Sequence, residues 1–189
     1  MADDTPASLQ EQLDTLKTID GTTEQLKNEG KFLEALQCME KGLILRGHCH
    51  GMDSTEVNDA CKAVGNMCNY IALVCLDKNQ FKMALELLKK AEVLTVRHRS
   101  ERAVTLNNFG CYYRKTGKLR TAASFLEKAI KLESFSDDIT KRADTHLNLC
   151  TVLSELGRYR DAHAHALAAR KYMLKELFGP INSEVYIYI

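Results

Sequence analysis

One stretch, Leu106–Ala129 (LNNFGCYYRKTGKLRTAASFLEKA), constrains the fold more than any other, because it encodes two short amphipathic helices joined by a tight turn. Leu106, Phe109, Gly110 and Tyr113 recur at helical spacing and so share one face of the first helix. Thr116-Gly117-Lys118 breaks that helix, since glycine tolerates the left-handed conformation in which helices commonly end. Leu119, Ala122, Leu126 and Ala129 then form the inner face of a second helix. Gly110 and Ala122 are small where two helix backbones must approach closely. A single pair could be coincidence, so recurrence along the chain decides what the stretch means.

The pattern does recur. Cys68, Ile71, Ala72 and Cys75 occupy the places of Leu106, Phe109, Gly110 and Tyr113, with a turn at Asp77-Lys78-Asn79 and a second face of Phe81, Ala84, Leu88 and Ala91. His146, Leu149, Cys150 and Leu153 repeat the first face again, followed by Gly157 and by Tyr159, Ala162, Ala166 and Ala169. Near the start, Gly30, Phe32, Ala35, Leu36 and Met39 match the turn and second helix. Leu13, Leu16, Ile19 and Leu26 suggest its first helix, weakened by Asp20-Gly21-Thr22-Thr23. The arrangement resembles the tetratricopeptide repeat, a helix–turn–helix unit of 34 residues with the pattern W-x2-L-G-x2-Y and then A-x3-F. Leu106 stands where that pattern has its aromatic. The alanines Ala35, Ala84, Ala122 and Ala162 are 49, 38 and 40 residues apart, so helices or connectors are longer than usual. In its LNN first helices, Leu106-Asn107-Asn108 and Leu147-Asn148-Leu149, and in Leu177-Phe178-Gly179-Pro180, the chain resembles the kinesin-light-chain branch.

The expected fold is therefore all-α, a right-handed α-solenoid of about four helix pairs. Residues 1–12 are expected to be a flexible leader, 13–178 the array (repeats about 16–49, 65–98, 103–136 and 143–176), and 179–189 a linker with the start of an incomplete helix. Arg46–Ser54 and Ser134–Asp138 are expected loops. The apolar Val185-Tyr186-Ile187-Tyr188-Ile189 fits a longer repeat protein, a docking or self-associating terminus, or a tail folded back on the fourth repeat.

Composition narrows the function. The 26 basic and 25 acidic residues nearly cancel, which gives no reason to expect nucleic acid or an anionic membrane as partner. No apolar run is long enough to span a bilayer, and the polar, acidic start argues against a signal or transit peptide. Seven scattered cysteines fit a reducing, cytoplasmic setting better than a disulfide framework.

No reaction can be assigned, and no cofactor or metal is expected. Cys61, Cys68 and Cys75 are seven residues apart, but Cys68 and Cys75 fall on packing positions where thiols are ordinary core. His48-Cys49-His50 lies in a presumed glycine loop and cannot close a tetrahedral site by itself. His146 and Cys150 lie one turn apart, yet Cys150 replaces a small interhelical residue and should be buried and inert. His163 and His165 cannot both face inward on one helix. Arg97-His98-Arg99 with Arg102, and Arg114-Lys115 with Lys118 and Arg120, read as a solvated rim rather than a nucleic-acid surface.

The functional surface is expected on the concave side, where first helices line the groove of stacked repeats. Asn69, Asn107, Asn108 and Asn148, with Leu73, Cys111 and Thr151 a turn later, are the candidate partner-binding residues. Asparagine carries both a donor and an acceptor, so it can hold a peptide backbone. The family resemblance implies the same use. Chaperone-binding relatives add a cationic clamp for a terminal carboxylate, but Asp144 and Asn148 stand where its lysine and arginine would be needed. The expected role is an adaptor or scaffold binding a peptide or helix of another protein. The alternative is a structural subunit of a cytoskeletal or ciliary assembly, using its convex face and chain ends.

Overall fold

Four copies of one turn fold the chain into antiparallel helix pairs. Gly30, Asn79, Gly117 and Gly157 each adopt positive φ (73°, 58°, 76° and 75°). The next residue's N–H bonds back across the helix end in every case: Lys31 to the Leu26 carbonyl, Gln80 to Cys75, Lys118 to Tyr113 and Arg158 to Leu153, at 2.8–2.9 Å. This closure satisfies carbonyls that a helix C-terminus would otherwise leave open. Asn79 takes the conformation that glycine supplies in the other three turns, which asparagine tolerates better than most residues.

The computed structural model describes residues 8–134 and 139–178. Among these are α1 (Leu9–Asn28), α2 (Phe32–His50), α3 (Thr55–Asp77), α4 (Phe81–Leu94), α5 (Arg99–Lys115), α6 (Leu119–Glu133), α7 (Ile139–Glu155) and α8 (Tyr159–Phe178). Each odd helix packs on the even helix after it, and each even helix packs on the next odd one. The architecture is an all-α solenoid of helix pairs, as the repeat pattern predicts.

Three local expectations need correction. The leader expected over residues 1–12 ends sooner, because Ser8 caps α1 in a reciprocal box with Glu11. Residues 1–7 lie outside the described residues, as do 135–138 and the 179–189 segment with its expected further helix. Asp20-Gly21-Thr22-Thr23 does not interrupt α1, which runs through it unbroken. The Thr22 and Thr23 hydroxyls donate to the carbonyls of Thr18 and Ile19 (2.9 and 2.8 Å), so both stay inside the helical hydrogen-bond scheme. Much of the expected Arg46–Ser54 loop is helix, because α2 runs to His50 and stops only at Gly51 (φ 83°).

The core follows the small residues. Ala35, Ala84, Ala122 and Ala162 are buried, each where a second helix meets the first helix of its pair. One apolar cluster joins α2 to α5 through Leu36, Val64, Cys68, Leu76, Leu88 and Phe109. A second joins α6 to α8 through Ala122, Leu126, Leu149, Val152, Leu153 and Ala162. Stacked rings of Phe109, Tyr113 and Phe125 bridge them, with centroids 5.0–6.3 Å apart.

Candidate functional site

The curvature of the array identifies its inner side. The backbones of α3 and α5 pack together, as do those of α5 and α7, whereas no Cα of one second helix comes within 8 Å of the next among the described residues, where α2 and α4 meet through the Lys90–Glu40 ion pair. The first helices are therefore the crowded, concave side and the second helices the splayed, convex one.

Two hydrogen-bonded asparagine pairs fasten the first helices together. Asn108 of α5 donates from Nδ2 to Asn69 Oδ1 of α3 at 3.3 Å. Asn148 of α7 donates to Asn107 Oδ1 of α5 at 2.9 Å, the same step one repeat later. The first pair is deeper. Asn69 and Asn108 are only 4% and 2% exposed, and Asn69 also donates to the Thr105 hydroxyl at 2.8 Å. Asn69 and Asn108, expected to face a partner, are thus committed to interhelical bonds in the interior. Asn107 and Asn148 are half-buried and reach the surface beside Leu147.

Of the other expected groove residues, Leu73 is exposed, Thr151 is exposed with its hydroxyl on the Leu147 carbonyl (3.0 Å), and Cys111 is half-buried. Burial raises the Cys111 thiol above its ordinary pKa. The exposed apolar residues of the concave helices α3 and α7 are Tyr70, Leu73 and Leu147.

The candidate reactive groups sit elsewhere. Cys68 and Cys75 are buried, and burial pushes the Cys68 thiol up to about 11, so it stays protonated at neutral pH. His48, Cys49 and His50 are consecutive on α2 rather than in a loop, so their side chains diverge around the helix, and Cys49 meets Gln12 Oε1 at 3.3 Å. Cys150 is half-buried rather than enclosed. His146, one turn before it, lies within hydrogen-bond distance of His165, Nδ1 to Nδ1 at 2.8 Å, while Tyr172 stacks on His146 at 5.6 Å. His163 is exposed.

The basic residues mostly brace neighbouring repeats. Arg114 pairs with Glu155 (2.9 Å), and Lys115 bonds both the Leu76 carbonyl (3.0 Å) and Asp77 (3.1 Å). Arg97 reaches Asp53 at 3.2 Å, and His98 Nε2 lies 3.0 Å from the Asn58 carbonyl.

A surface that the sequence reading did not anticipate lies between α1 and α3. No Cα of α1 comes within 8 Å of one of α3 among the described residues. The gap contains cavities of about 380 and 570 Å³ that share Lys27, Met39 and Ala63. Phe32 and Tyr70, in edge-to-face contact at 4.8 Å, continue it into a third cavity of about 300 Å³.

Such a surface belongs to a helical-repeat solenoid with an open inner face, and comparisons with known proteins agree on that class. Residues 102–132, which include Leu106–Ala129, match the family model described as tetratricopeptide repeat. The crystal structure of BtubC (BKLC) from P. vanneervenii superposes with a TM-score of 0.62 at 17% identity, over 88% of this chain and 66% of that one. MamA from RS-1, as a double mutant, gives a TM-score of 0.55 at 18% identity, over 85% of this chain and 76% of that one. The chain thus spans just under two thirds of BtubC. At these identities the likeness concerns the fold. No curated protein matches the chain. No helix among the described residues is long and apolar enough to cross a membrane.

Proposed function

We propose that the chain is a non-catalytic adaptor or scaffold whose concave face holds an extended peptide or a helix of a partner protein. The observation that carries this reading is the presence of Tyr70, Leu73 and Leu147 on the concave helices, 48%, 39% and 39% exposed. Large side chains on the inner side of a solenoid gain contacts when a partner covers them, which supplies affinity. Asn107, Cys111, Asn148 and Thr151 border the same strip and would set the register of a bound backbone. The repeat fold supports a binding role. Affinity capture from cell extract tests it, comparing wild type with Leu73→Glu, Leu147→Glu of equal thermal stability. Loss of the main partner supports the concave site, and retention of every partner contradicts it.

A second reading has its own observation. Leu167, Met173, Leu177 and Phe178 are exposed on α8, and Val93 and Val96 at the end of α4 are more exposed still than Leu73. These favour a structural subunit of a cytoplasmic assembly, cytoskeletal or ciliary, with contacts on the convex face and at the end of the array. Self-association through that apolar end belongs to the same reading. Capture that survives the concave substitutions but fails with Leu167→Glu, Leu177→Glu supports it.

A further inference from the structure

The gap between α1 and α3 is charged at one end and largely apolar further along. The α1 wall carries Asp20, Glu24 and Lys27, the facing α3 wall carries Glu56 and Asp59, and Arg46 of α2 lines the same space. Arg46 is bound by Asp20 (2.6 Å) and Lys27 by Glu24 (2.7 Å), while Glu56 and Asp59 are exposed and give this end a net negative charge. Further along α3 the walls turn apolar, with Met39, Ala63, Met67, Phe32 and Tyr70. From Glu56 to Val74 the helix rises about 27 Å, enough for several turns of a bound helix.

We propose that this gap is a docking groove for a cationic amphipathic segment of a partner protein. The basic end of that segment lies against Glu56 and Asp59, and its apolar side chains rest on Met39, Met67 and Tyr70. The inference rests on the adaptor reading and names the chemistry of its partner. The exposed carboxylates of Glu56 and Asp59 carry charge that Arg46 and Lys27, already paired with Asp20 and Glu24, do not offset, and this selects a basic occupant over a neutral or acidic one. The methionines are unbranched and polarizable, so they adapt to different apolar anchors.

The test is selection of a random 16-residue peptide library on the full chain, followed by fluorescence anisotropy of the enriched peptides. Three variants at exposed or groove-edge positions are used, each checked for an unchanged circular dichroism melt: Glu56→Lys with Asp59→Lys, Ala63→Arg, and Leu73→Glu with Leu147→Glu. Enriched peptides that are basic and apolar, that lose about tenfold or more in affinity with the first two variants, and that weaken steeply with added salt support the inference. Enriched peptides that are neutral or acidic overturn it. Peptides sensitive only to Leu73→Glu with Leu147→Glu also overturn it, while the adaptor reading stands. Enrichment of no peptide contradicts both.

Discussion

Gly110 and Leu126 meet so closely that a Cβ built on the glycine would lie 2.5 Å from Leu126 Cγ and 2.7 Å from Cδ2. The contact joins the two helices of the third pair at the stretch that first indicated a repeat. Gly110→Ala should destabilise by about 1–3 kcal/mol, because the leucine is fully buried and cannot move aside without disturbing the core. Gly21→Ala is the control. Nothing lies within 4 Å of the Cβ it would add, and alanine in an exposed helix interior should stabilise by about 0.5–1 kcal/mol. Urea denaturation of both variants reads the difference in sign.

Asn69 stands between two partners, donating to Thr105 and accepting from Asn108. Asn69→Leu should cost about 1–3 kcal/mol, since it leaves the Asn108 amide buried without its acceptor. Replacing Asn69 and Asn108 together should cost less than the sum of the two single changes, a coupling that a double-mutant cycle measures. Asn148→Ala should cost less than Asn69→Leu, because Asn107 can turn to solvent.

The His146–His165 contact predicts a pH dependence. Burial, and then the charge of His165, lowers the His146 pKa from 6.5 to about 4, and His165 is lowered chiefly by burial against the opposing pull of Glu127 and Asp161. Arg142 lies over Tyr172, which covers His146, and adds positive charge to the same face. Between pH 6.5 and about 4 the unfolded chain therefore binds more protons than the folded one. Stability from this pair is complete above pH 6.5 and is lost as the pH falls towards 4. The melting temperature should drop between pH 7 and pH 5 by about 2–4 °C, since partial exposure limits the effect. His146→Gln should flatten that dependence.

Much of the fold was legible because its punctuation is local. Gly30, Gly117 and Gly157 mark turns by their own chemistry, and Ala35, Ala84, Ala122 and Ala162 mark crossings by their size. The Thr22-Thr23 pair misleads because threonine back-bonding is invisible in a propensity reading. The groove was legible only in part. Helical spacing places Asn69 and Asn108 beside the packing residues, but how far the next helix covers them depends on the tilt of one repeat against its neighbour. The α1–α3 gap was not legible at all. It sets Asp20 and Glu24 of α1 opposite Glu56 and Asp59 of α3 across an intervening helix, and neither helix shows that by itself.

Hydrogen–deuterium exchange of the full chain, with and without the main captured partner, tests the concave-face account most directly. Slower exchange should appear in the middle of α3 and α7, around residues 66–75 and 144–151, where Tyr70, Leu73 and Leu147 sit, with little change along α4 and α8. Protection confined to α4 and α8 would contradict the account and place the contacts on the convex face and the end of the array.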